Sequence, residues 1–192
     1  RVDNPNLSPL DIPGPEHQNY QMLWICHEID FLKSHIIFLT DKGYEVDTST
    51  NGNDALELIK KIQYDIIFLD GLHTYEQTIK DINNAIFCIK DNGIILVHDC
   101  LPKKIWNQVV PRIYGHWNGD VWKAIVETRT YKNIQTFTCI ADHGLGIILK
   151  RKNKNILNIE NKNFKDLKFS DYFNFHKKFM NPITYEKLLR IL

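Results

Sequence analysis

The sequence is poor in the features that mark specialised classes of protein. Its four cysteines, Cys26, Cys88, Cys100 and Cys139, show neither CxxC nor Cys/His spacing. That excludes the common zinc motifs and a disulfide framework, and makes reduced thiols in a cytoplasmic protein the expectation. No apolar run approaches the ~20 residues that span a bilayer, and the N-terminus lacks the basic-then-apolar layout of a signal peptide. Charge of one sign is missing as well: 24 Lys and Arg against 23 Asp and Glu leave a formal net charge of +1. Such a balance has no general field to draw in nucleic acid or an anionic membrane, so neither is an expected partner. The one basic run, Lys150-Arg151-Lys152 with Lys154, follows a strand pattern and reads as a solvated segment.

With 192 residues, 43% hydrophobic and 24% charged, the chain can bury the core of one α/β domain and is too short for two. Residues 1–150 read as that domain, and 151–192 as a linker and a C-terminal helical tail. The chain begins at Arg1 rather than Met, as a fragment or a processed product would. Residues 1–20 hold four of the seven prolines and no periodicity, the pattern of an extended surface segment.

The organising stretch is 64–99, YDIIFLDGLHTYEQTIKDINNAIFCIKDNGIILVHD. It reads as a buried strand over 65–69 ending on Asp70, a helix starting near His73, a turn at Asp91-Asn92-Gly93, and a second buried strand over 94–97 ending on His98-Asp99. Continuous apolar runs such as IIFL and IILV suit parallel strands covered on both faces. Parallel crossovers are right-handed and open α/β sheets carry ligands at the carboxyl ends of their strands, so Asp70, His73, His98 and Asp99 are expected on one rim.

Around this unit the pattern predicts strands over 21–25 and 44–48, a helix over 28–42 closed by Gly43, and a helix over 55–63. After Asp99, helical stretches are expected over 105–114, broken or kinked by Pro111, and over 121–129. Strands over 134–140 and 145–150 joined at Asp142-His143-Gly144 form an antiparallel hairpin. The fold class is therefore α/β, a Rossmann-like open, mostly parallel sheet with helices on both faces and a C-terminal hairpin. Residues 152–168 are polar and Asn/Lys-rich, a linker. Residues 170–192 are expected to pack on the body or on a partner, which leaves a homo-oligomer open.

From Asp65 onward the chain resembles class I S-adenosylmethionine-dependent methyltransferases, especially those acting on sugars and small molecules. The resemblance rests on DIIFLDGLHTYEQ, NGIILVHDCLP, WNGDVWKAI, ADHGLGIIL and ITYEKLLRIL, in that order. It implies an O-methyltransferase for a sugar or small metabolite with S-adenosylmethionine as cofactor. Asp70-Gly71 would lie along the cofactor, and Asp3, in RVDNPNLSP, would bind the ribose hydroxyls. The glycine-rich turn by which this family approaches its cofactor is absent: no GxGxG occurs, and Cys26-His27-Glu28 follows the strand at 21–25. Residues 23–70 resemble instead a response-regulator receiver domain, which implies an alternative, a signalling or interaction module with Asp70 as phosphoacceptor. There, Cys26-His27 stands where receivers carry the acidic pair that holds Mg²⁺.

Methyl transfer to a hydroxyl needs in-line approach and a base. His73 and His98 have the right pKa range; Asp70 or Asp99 would orient the imidazole or hold a divalent ion that acidifies the hydroxyl. Trp117, Trp122 and Asp120 either line a sugar pocket or pack in the core. Turn chemistry accounts for Asp142-His143-Gly144, and Cys100 reads as a small buried residue.

Overall fold

The structure, a computed structural model, describes residues 19–26, 29–50, 52–160 and 163–192. Among them seven strands, β1 (Tyr20–Cys26), β2 (Tyr44–Ser49), β3 (Tyr64–Asp70), β4 (Ile89–Val97), β5 (Gln135–Cys139), β6 (Leu145–Leu149) and β7 (Pro182–Ile183), form one sheet in the order β2-β1-β3-β4-β6-β5-β7. β2, β1, β3 and β4 are parallel; β6 is antiparallel to both β4 and β5, and β7 lies parallel to β5. The helices are α1 (Lys33–Asp41), α2 (Gly52–Ile59), α3 (Tyr75–Cys88), α4 (Ile105–Gln108), α5 (Val121–Thr128), α6 (Phe169–Met180) and α7 (Tyr185–Leu189). The sheet is the mostly parallel, Rossmann-like one that the sequence predicts, hairpin included.

Alternation along β1 shows why both faces are covered. Leu23 and Ile25 point into the larger core with Ile67, Leu69, Ile82, Val97 and Ile125, whereas Met22, Trp24 and Cys26 face the opposite side, under Ile29, Leu32, Ile36 and Leu39. The second cover is thinner: α1 has no fully buried residue of its own. Trp122, completely buried, packs against Tyr172 with ring centroids 5.1 Å apart and so ties α5 to α6.

Several boundaries differ from the sequence expectation for identifiable reasons. Thr74 caps α3, its side chain accepting from the Gln77 amide at 3.4 Å, which leaves His73 in the preceding loop rather than in the helix. The turn expected at residues 91–93 is an irregularity inside β4, where pairing jumps from Tyr64↔Ile89 to Ile66↔Ile94. The helix expected over 105–114 is only α4, because Pro111 has no amide hydrogen to continue it and restricts the residue before it. The described residues of 152–168, a polar stretch overall, are pinned by buried Leu157, Phe164 and Leu167 and by Asn153, whose side-chain amide donates to the Arg129 and Tyr131 carbonyls at 3.0 Å each. The tail returns to the sheet, since β7 pairs Pro182 with Thr138 and Ile183 with Cys139.

The topology also fixes where a ligand crevice forms. From β1 the chain first adds β2 on one side and then β3 on the other, so the winding reverses between β1 and β3. Crevices of open α/β sheets lie at such a point, outside the carboxyl ends of the strands. Here those ends are Cys26 and Asp70, which are register partners. No helix among the described residues is long and apolar enough to cross a membrane.

Candidate functional site

Four sequence-predicted side chains meet at this rim. Asp70 closes β3, His73 stands in the loop that Thr74 ends, and His98-Asp99 follows β4, which lies beside β3. Asp70 Oδ1 lies 3.3 Å from His73 Nε2 and 3.2 Å from His98 Nδ1. Asp99 Oδ2 lies 3.2 Å from His73 Nδ1 and 3.6 Å from His98 Nδ1. Asp99 is buried, and it adopts a left-handed backbone with φ of 60°, a conformation non-glycine residues hold only when their surroundings enforce it. Buried Asn118 supplies the enforcement: its side-chain amide donates to Asp99 Oδ1 at 2.8 Å.

The two histidines are held differently. Both ring nitrogens of His73 face acceptors, Asp70 on one side and the Trp117 carbonyl, at 3.2 Å, with Asp99 on the other. Trp117 also stacks on the His73 ring at 5.4 Å between centroids. His98 presents Nδ1 to Asp70, but its Nε2 points outward to Asp142 Oδ2 at 2.7 Å, and Asp142 is itself exposed. His98 is thus the imidazole with a nitrogen toward solvent.

The charges settle accordingly. Burial works to raise the Asp70 carboxyl, but hydrogen bonds from His73 and His98 overcome it and hold Asp70 well below the usual carboxylate range. The hydrogen bond to Asp70, opposed by burial and reinforced by Asp142, pushes His98 up to about 9. Burial penalises charge on His73, yet Asp70 and Asp99 leave it raised. Asp99 is raised by burial despite the neighbouring histidines.

A pH window follows. The folded value of His98, about 9, exceeds its ordinary 6.5, so its stabilisation is complete below that ordinary value and is lost as pH rises through the folded one. In chelator-treated protein, the urea midpoint of the wild type should therefore fall between pH 6.5 and about 9 more steeply than that of His98→Gln; parallel curves would refute the assignment.

The remaining candidates divide. Gly71 follows Asp70 at the crevice, where an added Cβ would come no nearer than 3.7 Å to Asp81 Oδ2. Asp3, His27 and Glu28 lie outside the described residues. Trp122 packs in the core. Asp120 accepts from the Tyr75 amide at 2.6 Å and pairs with Lys123 at 3.1 Å, anchoring the start of α3. Cys100 is fully buried, and burial raises its thiol. Asn118 and His116 are additions to the sequence reading, and Asp142, expected only to serve its turn, also holds His98 Nε2. His116 stacks on His143 with centroids 3.7 Å apart and places Nε2 3.8 Å from Asp99 Oδ1. Two sets among the described residues, Asp70-His73-Asp99 and Asp99-His116-His143, bring three ligand atoms within 4.8 Å of one another.

Part of the chain matches a known family. Residues 27–100 match the family model described as a methyltransferase domain. That span ends just past His98-Asp99 and takes in most of the stretch that resembles a receiver. Solved structures similar to this chain include the methyltransferase PaMTH1 of Podospora anserina with bound SAH, at a TM-score of 0.47 and 14% identity over 69% of this chain and 72% of that one. The MycE methyltransferase of the mycinamycin biosynthetic pathway, in complex with Mg, SAH and mycinamycin VI, has a TM-score of 0.46 and 11% identity, covering 77% of this chain and 50% of its own. An O-methyltransferase family protein from Burkholderia thailandensis has a TM-score of 0.42 and 12% identity, over 69% and 44% of the two chains. No curated protein matches the sequence.

Proposed function

We propose, from the match of residues 27–100 to a methyltransferase domain, that this chain uses S-adenosylmethionine to methylate a hydroxyl oxygen of a sugar or small metabolite, with His98 as general base. The supporting observation is the convergence of Asp70, His73, His98 and Asp99 at the carboxyl ends of β3 and β4, beside the reversal point of the sheet, with His98 Nε2 turned outward. S-adenosylmethionine, when bound, supplies an electrophilic methyl group on a sulfonium that departs as a neutral thioether. Two residues at the crevice suit such a group, Asp70 offering an anionic carboxylate to a cation and Gly71 leaving bare backbone beside it, while the strand before the crevice is followed by Cys26-His27-Glu28 in place of a glycine-rich turn. Asp3 is proposed for the ribose hydroxyls.

The chain's own work is then proton transfer and alignment. The acceptor hydroxyl takes the place of Asp142 at His98 Nε2 and gives its proton to that nitrogen as oxygen attacks. Asp70, at Nδ1, fixes the ring and stabilises the imidazolium. His98 must first lose its proton to solvent; a cation held beside Asp70 and Asp99 would loosen their hold on that proton. His73, engaged at both nitrogens, positions Asp70 and Asp99. The O, N, O set of Asp70, His73 and Asp99 suits a divalent cation, which would acidify the acceptor hydroxyl.

Incubation with methyl-tritiated S-adenosylmethionine and a panel of hydroxylated sugars and phenols tests this reading. Label is expected in an O-methyl product. No transfer to any hydroxyl, together with labelling of Asp70 by acetyl phosphate and Mg²⁺, would replace it with the receiver-like alternative.

A further inference from the structure

The hairpin loop 140–144 sits at the same rim as the His/Asp cluster, because β6 pairs Gly146 with Val97 immediately before His98. Beyond it, on the side away from the β1–β3 crevice, the surface opens into a cavity of about 470 Å³, within the size range of small-molecule sites. Its walls are mainly apolar, with Leu101, Pro102, Ile140, Phe169, Phe173 and Met180 prominent. Ile140 and Phe173 are 62% and 71% exposed, so the cavity is open to entry. Asp142 is the one carboxylate in the lining, and its Oδ2 is bonded to His98 Nε2 at 2.7 Å. A molecule seated here therefore reaches the outward nitrogen of His98 by displacing a single side chain.

The charges of this cavity are one-sided. Lys103 and Lys177 both belong to the lining, and neither forms an ion pair among the described residues, whereas the one acid is committed to a histidine. A bare sugar would press hydroxyls against Leu101, Pro102, Ile140 and Met180, leaving them short of partners at a cost. An apolar body with one anionic group meets no such penalty.

We propose that this cavity seats the methyl acceptor and that the acceptor is an amphipathic hydroxy acid. Its aromatic or alkyl body lies on the apolar wall, its carboxylate pairs with Lys103 or Lys177, and its hydroxyl faces His98. The inference rests on the methyltransferase reading for the meaning of "acceptor", but the binding it requires can be measured without turnover.

The test is calorimetric titration of the full chain, with and without S-adenosylhomocysteine, using 3-(4-hydroxyphenyl)propionate, its methyl ester and methyl glucoside. The acid should bind, the ester about tenfold or more weakly, as loss of a charge-assisted contact implies, and the glucoside least. Lys103→Glu combined with Lys177→Glu should weaken the acid and spare the ester. Phe173→Asp, at an exposed position that leaves the fold intact, should weaken both. Equal binding of acid and ester, tighter binding of the glucoside, or no binding of the acid in either condition would overturn the proposal. Methyl transfer to the glucoside without acid binding would sink this inference alone; acid binding in the expected pattern by a chain that transfers no methyl group would sink the catalytic reading alone.

Discussion

His98→Gln should slow methyl transfer by about 10²–10⁴-fold, the usual contribution of a positioned base, and leave the affinity for S-adenosylmethionine nearly unchanged. The reason lies in the two ends of the ring. Nδ1 is held by Asp70 at 3.2 Å and Nε2 faces Asp142 at 2.7 Å, so the ring is fixed with one nitrogen presented to the rim. A glutamine amide can occupy the same space and hydrogen-bond, but it cannot take up a proton. Single-turnover rates with the cofactor saturating separate the two roles. Loss of the rate and of the histidine limb of its pH profile, with cofactor binding retained, fits a base; an equally fast variant would remove His98 from the chemistry.

Gly119→Ala should be the most damaging small substitution, costing about 3 kcal/mol or more of stability and misplacing the site as well. Gly119 has φ of 62°, and a Cβ built there would overlap the His73 backbone carbonyl. Its amide donates to the Asn107 carbonyl at 3.0 Å, and the neighbouring Asn118 holds Asp99. Relief of the clash must therefore move either His73 or the support of Asp99. Gly43→Ala is the control, since Gly43 has φ of 87° but nothing within 4 Å of an added Cβ. That variant should lose only the left-handed backbone preference, about 1–2 kcal/mol. Equal urea midpoints for the two would show that the close approach at Gly119 carries no weight.

The parts of this arrangement that were legible in sequence are those written locally. The runs IIFL and IILV, each followed by its acid or His-Asp pair, placed Asp70, His98 and Asp99 at adjacent strand ends, and the topology brought His73 with them. Asn118 left no comparable mark, and Asp142 was legible only as part of a turn. Asp142 reaches His98 across 44 residues, and its left-handed backbone, with φ of 50°, satisfies a turn whether or not the side chain has other work. Asn118 lies 19 residues from Asp99 in a loop without periodicity. The segment 152–168 misleads for a related reason: its anchors, Leu157, Phe164 and Leu167, are scattered among polar residues, and only the assembled core shows that they are buried. β7, two residues long, is too short for alternation to register.

The most direct measurement is calorimetric titration of the purified chain with S-adenosylmethionine, repeated with Asp70→Asn. If the rim formed by Asp70, His73, His98 and Asp99 receives the cofactor's reacting end, the wild type binds at one site per chain and the variant binds about tenfold more weakly, as removal of one charge-assisted contact implies. No heat with the wild type, or the same isotherm for both proteins, would contradict the account.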